Sequence, residues 1–296
     1  MKLSPVDRCP LCQSGRIAPF KEGTVVPDRI SAADFKITDS HYGARWTFHS
    51  CRDCGFVFAN PVPDGEAIGR FYASLADDEY SQEGEGRGRN FTRILKRLGR
   101  FVPPGSSLLD VGAASGIFLD LARQAGFRVS GIEPSASLVA DAERMFGLKL
   151  FCGTAGQFTS GERFSAITLL DVLEHVTDPG ALLSALDRFL APGGMMVIVT
   201  PDIGSLAARV MGGRWWHFRV AHVNLFSRRS LDRLLEMHGF EVILRRRFAW
   251  NFSAHYLLTR LLPLRKGNPL QRPLKKIHLR LQLFDSWEVY ARKKEG

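Results

Sequence analysis

The 296-residue chain is 45% hydrophobic and 24% charged, the composition of a folded globular protein rather than a disordered tail or fibrous repeat. It contains no uncharged apolar run of about eighteen residues, and its start, MKLSPVDRCP, lacks the apolar core of a signal peptide. A spanning helix is therefore not expected, and a cytoplasmic chain is. The net charge of +10 is confined to the last fifth: residues 245–296 hold 13 Lys and Arg against three acids, and residues 1–244 hold 27 of each sign. Such asymmetry speaks of a surface or partner rather than of the fold.

Residues 1–60 carry two Cys-x-x-Cys pairs, Cys9/Cys12 in CPLC and Cys51/Cys54 in CRDCG, around short β-like runs. In a reducing compartment such pairs are the paired knuckles of a tetrahedral zinc site. Four thiolates leave no open position, so the expected Zn2+ is structural and the segment reads as a small zinc ribbon. His41 and His49 are spare ligands better read as surface histidines, and Cys152 reads as a small core residue.

Residues 61–90 form a connector. NPVPDGEAIGRFYASL reads as a turn and helix, and QEGEGRGRN as a Gly-rich, charged, mobile stretch. From Phe91 onward strands and helices alternate, the signature of a parallel sheet covered on both faces. The strands are SLLDV (107–111), FRVSGI (127–132), LKLF (148–151), FSAITLL (164–170) and GMMVIVT (194–200), followed by FEVILRRRFAW and a closing SWEVYARKK. Residues 91–296 are thus expected to form one doubly wound α/β unit, interrupted before its last strand by a basic insert at 253–284.

The first strand ends in Asp110, and the loop Gly112-Ala113-Ala114-Ser115-Gly116 leads into a helix. The second strand ends in Glu133, 21 residues after Gly112. In such sheets ligands bind beyond the carboxyl ends of the strands, and an acid there accepts hydrogen bonds from a ribose diol. Asp110 is unsuited to a pyrophosphate but suits a ligand bearing positive charge.

With these motifs the sequence resembles the class I S-adenosylmethionine-dependent methyltransferases. LLDVGAASG looks like the family's first motif and VSGIEPS like its acidic second-strand motif, while FSAITLLDVLEHVTDP and LDRFLAPGGMMVIVTPD resemble its fourth- and fifth-strand segments. The resemblance implies a Rossmann-like, mostly parallel seven-stranded sheet. It implies that Asp110, Gly112, Ala114 and Gly116 line the cofactor's methionine end, that Glu133 holds its ribose, and that Asp171 stands where cofactor meets acceptor. Ala114 stands where glycine is commoner, and CGTAGQF lacks the acid often found at the adenine, leaving Thr154, Ala155 or a backbone carbonyl for that contact.

Methyl transfer from a sulfonium is an in-line displacement in which alignment is worth about 7–11 kcal/mol. A hydroxyl acceptor also needs a base, worth about 10²–10⁴ in rate. The candidates are His222 and His175, with His217 beside them. Trp215, Trp216 and Phe218 either wall the acceptor or pack a lid, and Tyr72 and Tyr80 precede the core where a segment folds over the cofactor. The ribbon-plus-domain arrangement resembles methyltransferases of sugars and surface glycans, which implies a small-molecule, sugar or lipid-linked glycan acceptor. An RNA methyltransferase is the alternative, disfavoured because LLDVLEHV replaces the Asn-Pro-Pro-Tyr-type motif; a non-catalytic zinc-ribbon binding module is the other. The insert mixes leucines with Lys and Arg and no acid, and Pro263, Pro269 and Pro273 divide it. It suits either a cap on the α/β unit or a peripheral contact with an anionic membrane surface, on the inner face of the membrane.

Overall fold

The computed structural model describes residues 1–36, 43–76, 84–261, 274 and 276–294. His41, Tyr80 and positions 262–273 of the basic insert lie outside the described residues.

The chain opens with β1 (Leu3–Ser4), β2 (Ile17–Lys21), β3 (Phe48–Cys51), β4 (Val57–Ala59) and β5 (Val62–Pro63). Helix α1 (Gly65–Ala73) begins at Asp64, whose side chain accepts from the Glu66 amide. The Gly-rich stretch expected to be mobile lies largely within α2 (Gly84–Leu98). The reason is a close approach: a Cβ on Gly86 would stand 2.8 Å from the Asn251 carbonyl oxygen, so glycine lets the helix lie on a neighbouring strand. Asn90, one turn on, accepts from the Asn251 backbone at 3.0 Å.

The α/β alternation then follows as β6 (Ser107–Val111), α3 (Ile117–Gln124), β7 (Arg128–Glu133), α4 (Ala136–Phe146), β8 (Phe151–Cys152), β9 (Phe164–Leu170), α5 (Pro179–Asp187) and β10 (Leu190–Pro201). Helix α6 (Leu206–Met211), β11 (Asn224–Leu225), α7 (Arg228–Met237) and β12 (Phe240–Arg247) come next. The chain closes with β13 (Trp250–Ser253), α8 (Ala254–Leu261), β14 (His278–Leu281) and β15 (Ser286–Lys293).

Seven strands form one sheet in the order β12-β15-β10-β9-β6-β7-β8. Strand β15 runs antiparallel to both neighbours, and the pairings from β10 through β8 are parallel. Alternation along each strand divides the core. Leu109, Val111, Ile167, Leu169, Met196 and Ile198 pack under α5 and α7. Leu108, Ala166, Met195, Val197 and Val199 pack under α2, α3 and α4. This is the doubly wound, Rossmann-like sheet expected from the sequence.

The N-terminal strands are joined to this body by hydrogen bonds. Strand β11 completes a second sheet, β11-β4-β3-β2, and Cys9, Cys51, Cys54, Phe56 and Phe58 share the core of α7. Within the basic insert, β14 pairs antiparallel with β13, returning the chain to the body before β15. Cys152 is exposed at the end of β8 instead of in the core, because that edge strand is only two residues long.

One ion pair fixes the outer helix to the sheet. Arg97 Nη1 on α2 donates to both oxygens of Glu288 on β15, at 2.7 and 2.9 Å, and the Tyr290 hydroxyl donates to the same carboxylate at 2.6 Å. Glu288 is only 2% exposed. Arg97→Met would leave that charge buried without its cation and should cost about 3–5 kcal/mol in denaturant unfolding. A loss within about 0.5 kcal/mol, the range of ordinary surface changes, would contradict this reading.

Candidate active site

Parallel strands deliver their carboxyl ends to one edge, and there the sequence places its acids. Asp110 lies in β6 one residue before its end, Glu133 ends β7, and Asp171 follows β9. Glu133 performs two tasks at once. One carboxylate oxygen accepts from the Ala114 amide and the other from the Ser135 amide, each at 2.8 Å. The small-residue loop and the start of α4 are therefore fastened to the same side chain. The Ser135 hydroxyl in turn donates to the Leu75 carbonyl at 2.7 Å, drawing the connector over this edge. Each Glu133 oxygen keeps a further lone pair for a ribose hydroxyl.

The loop itself needs left-handed backbone. Gly112 and Gly116 have φ of 75° and 79°, and Ala114 adopts φ 47° in spite of its Cβ. Asp110 accepts from the Thr168 hydroxyl at 2.5 Å. Desolvation raises the carboxyls of Asp110 and Asp171 to about 7 and that of Glu133 to about 6. Arg87 and Arg219 partly counter the effect at Asp171. Asp171 also has φ 57°, a conformation that aspartate tolerates better than most residues, next to the site's mouth.

The opposite wall is built from four separate segments. Tyr72 of α1 meets His175 Nδ1 through its hydroxyl at 2.6 Å. The rings of His175 and His222 stand edge to face, centroids 4.7 Å apart. His222 Nδ1 lies 2.8 Å from the His217 carbonyl, so the Nδ1–H donates there and Nε2 carries the free lone pair. His217 faces Asp285 at 3.3 Å, and Trp215 donates to the same carboxylate at 3.3 Å. Burial lowers His175 to about 3 and holds His222 well below its ordinary value, so both imidazoles are uncharged near pH 7.

Of the aromatic candidates, Trp215 and Phe218 are buried in a third core with Phe35, Trp46 and Phe48, packing the loop instead of walling an acceptor. Trp46 donates to the Val220 carbonyl at 2.7 Å, tying the N-terminal segment to the loop that carries His222. Sequence reasoning missed Glu174, whose backbone carbonyl accepts from Val223 and Asn224 and whose side chain accepts from Thr200 at 2.9 Å. It also missed Asp285, Arg87 and Arg219. Glu174 had a signal in the Asp171-x-x-Glu174-His175 spacing after a strand, and Arg219 lies between His217 and His222; Arg87 and Asp285 had none, lying far away in sequence.

The four N-terminal cysteines converge. Cys9 and Cys54 sulfurs are 3.6 Å apart, as are those of Cys12 and Cys51, and all four lie within 4.8 Å of one another. A disulfide needs about 2.05 Å, whereas the edge of a tetrahedron with metal–sulfur bonds of about 2.3 Å is about 3.8 Å. The arrangement fits a closed tetrahedral metal.

Comparison with known proteins gives the chain its family. A family model described as a methyltransferase domain matches residues 84–244, more than half of the chain. The chain belongs to the methyltransferase-domain family. It is a class I S-adenosylmethionine-dependent methyltransferase. Among curated proteins, the ubiquinone biosynthesis O-methyltransferase of Bradyrhizobium sp. (strain ORS 278) is 34% identical over 134 residues, 43% of this chain and 52% of the relative. That of Rhodopseudomonas palustris (strain HaA2) is 29% identical over 167 residues, 52% and 64% of the two chains. The chain thus spans about half to two-thirds of these relatives' length. Two solved structures share the fold. The magnesium protoporphyrin IX methyltransferase of Synechocystis PCC 6803, with bound S-adenosylhomocysteine, has a TM-score of 0.51 at 15% identity, covering 78% of this chain and 94% of its own. The 1,6-didemethyltoxoflavin-N1-methyltransferase of Burkholderia thailandensis has a TM-score of 0.51 at 16% identity, covering 82% and 97%. Among the described residues no helix is long and apolar enough to cross a membrane.

The methyltransferase edge fits its cofactor, which is cationic at both sulfonium and ammonium while the edge holds buried carboxyls. Raised acids keep protons in the folded chain that the unfolded chain has lost, so their contribution to stability falls as pH rises toward 6–7. A cation binds the ionised forms. S-adenosylmethionine affinity measured calorimetrically should therefore climb about tenfold or more between about pH 5.5 and pH 8. A flat profile would contradict the placement of these acids in the cofactor site.

Proposed function

We propose that this methyltransferase methylates a hydroxyl oxygen of a small molecule held between the carboxyl edge and the His175–His222 wall. The observation that carries the reading is the pair of uncharged, buried imidazoles together with the Tyr72 hydroxyl, beginning four residues beyond Asp171. When bound, S-adenosylmethionine supplies an electrophilic methyl group on a sulfonium. Asp110, Glu133 and the Gly112–Gly116 backbone hold the cofactor, and Asp171 stands at the junction with the acceptor. Nε2 of His222 presents a lone pair that can accept the acceptor's hydroxyl hydrogen and aim an oxygen lone pair at the methyl carbon. Held well below its ordinary value, the His222 imidazole acts first as an orienting hydrogen-bond acceptor and only weakly as a base, while His175 holds the Tyr72 hydroxyl. Oxygen as the methylated atom is supported by the curated relatives, which are O-methyltransferases. Sugars and lipid-linked glycans stay within the acceptor class.

Zinc held by Cys9, Cys12, Cys51 and Cys54 completes this reading as a structural ion. The ribbon segment, residues 1–60, supports the acceptor loop through Trp46 and through Arg45, which donates to the Gly213 carbonyl at 3.2 Å. Labelled S-adenosylmethionine and the protein, incubated with cell extract, should yield a small-molecule methyl ether stable to base. Label recovered in RNA, or none in any fraction, would overturn the proposal. Cys51→Ser should reduce transfer while leaving S-adenosylmethionine affinity unchanged; equal loss of both would place the ribbon in the cofactor site instead.

The basic insert supports a further element of the proposal, peripheral contact with an anionic membrane surface. Ile277, Leu279, Leu283 and Phe284 are exposed, interspersed with exposed Lys276 and Arg280. Apolar side chains in the headgroup region and about 1 kcal/mol from each cation would give attachment that salt weakens. Sedimentation with phosphatidylserine-containing vesicles at low salt should retain the protein, and neutral vesicles should not. Equal binding to both, or none, would leave the insert as a cap.

A further inference from the structure

Helix α2 presents one stripe to the hairpin of β13 and β14. Gly86, Asn90, Arg93 and Arg97 recur at the spacing that places residues on one helix face. Gly86 approaches the Asn251 carbonyl, and the Asn251 side-chain amide donates to Asn90 Oδ1. Arg280 of β14 is the cross-strand partner of Asn251. Directly opposed residues share a sheet face, so Arg280 stands on the face that meets α2. Two elements thereby bring arginines together, Arg89, Arg93 and Arg97 along the helix and Arg280 along the strand.

Such a gathering of like charge is unfavourable unless an anion offsets it. Glu288 is already occupied, since both of its oxygens accept from Arg97 and the Tyr290 hydroxyl donates to one of them. Arg93 Nη1 is buried and has no hydrogen-bond partner among the described residues. Burial first, then repulsion from Arg280, Arg97 and Arg89, lowers the Arg93 pKa, yet a guanidinium keeps its charge at neutral pH. A buried N–H without an acceptor is costly, and here the missing acceptor is anionic. We propose that Arg93 and Arg280, backed by Arg97 and Arg89, form a binding site for a phosphate group carried by a soluble small molecule. Phosphate suits the place because its charge and several oxygens can meet planar guanidinium forks from two elements at once.

The role of the bound phosphate rests on the methyl-transfer reading; its binding does not. Arg87 precedes Arg93 on α2 by about 9 Å along the helix axis, and its charge acts on Asp171. The phosphate site therefore flanks the end of the helix that faces the carboxyl edge. On the methyl-transfer reading the acceptor is a phosphorylated small molecule, its phosphate held between α2 and β14 and its hydroxyl directed toward Asp171. Binding energy from that remote group then goes into orienting the hydroxyl.

The test is calorimetric titration of the full chain with inorganic pyrophosphate at low salt, with S-adenosylhomocysteine affinity measured in parallel. Wild type should bind pyrophosphate saturably, and Arg93→Gln and Arg280→Gln should each weaken that binding about tenfold or more. Arg229→Gln, which removes an exposed cation on α7, should leave it unchanged. Retained S-adenosylhomocysteine affinity shows that the variants are folded. No saturable binding by wild type, or equal effects of all three substitutions, would overturn the phosphate site while leaving the methyltransferase reading intact. Because Arg280 also belongs to the basic insert, the same variants are sedimented with phosphatidylserine-containing vesicles. Vesicle retention that depends on Arg93 and Arg280, without pyrophosphate binding by wild type, would assign these arginines to a lipid headgroup and overturn the soluble ligand. Pyrophosphate binding that depends on Arg93 in a chain that does not bind S-adenosylhomocysteine would support the site and count against the methyl-transfer reading instead.

Discussion

The carboxylate of Glu133 is the fastening on which the carboxyl edge of the sheet depends. By accepting from Ala114 and Ser135 it fixes the loop after β6 relative to the helix after β7. A backbone turn that includes an alanine at positive φ is otherwise unfavourable, and the charge-assisted bond from its amide offsets that cost. Ser135 carries the constraint outward to Leu75, so the connector that precedes the sheet is positioned from the same point. One acidic strand end thereby organises a loop, a helix start and a covering segment before any ligand arrives.

The wall that carries His175 and His222 has a different logic. No single element contains it; Tyr72, the turn after β9, the loop carrying His217 and His222, and Asp285 come together only in the folded chain. Their coherence derives from backbone pairing, through the Glu174 carbonyl and the side chain of Asn224, which donates to the Val176 carbonyl at 2.5 Å. The N-terminal segment takes part in this: Phe35 packs against Phe71 and Tyr72, and Trp46 holds the loop from the other side. A segment that could be mistaken for a separate appendage is thus built into the wall that carries His175 and His222.

Legibility from sequence followed the range of the interactions. The parallel strands and the acids at their ends were readable because short-range periodicity and the Asp110–Gly112–Gly116–Glu133 spacing are local signals. The cysteine pairs were readable because each knuckle is four residues long. The helix at Gly84–Leu98 was not, since its glycines look like a flexible linker until Asn251, over 160 residues away, supplies the reason for them. The burial of Trp215 and Phe218 depended on partners near residues 35–48, so the aromatic cluster gave no indication of which face it would present. Glu174 was hidden in plain view. In sequence it is one letter of a motif, and its buried, half-satisfied carboxylate is visible only when the neighbouring strands are present.

The central claim is that the edge formed by β6, β7 and β9 is where S-adenosylmethionine binds. Hydrogen–deuterium exchange of the full chain, with and without S-adenosylhomocysteine, tests it at residue level. The account expects slowed exchange at the amides of 112–116 and 133–135 and in the turn 171–175, with the strand pairing of β12 and β15 unchanged. Protection confined to other surfaces, or none under saturating ligand, would contradict it.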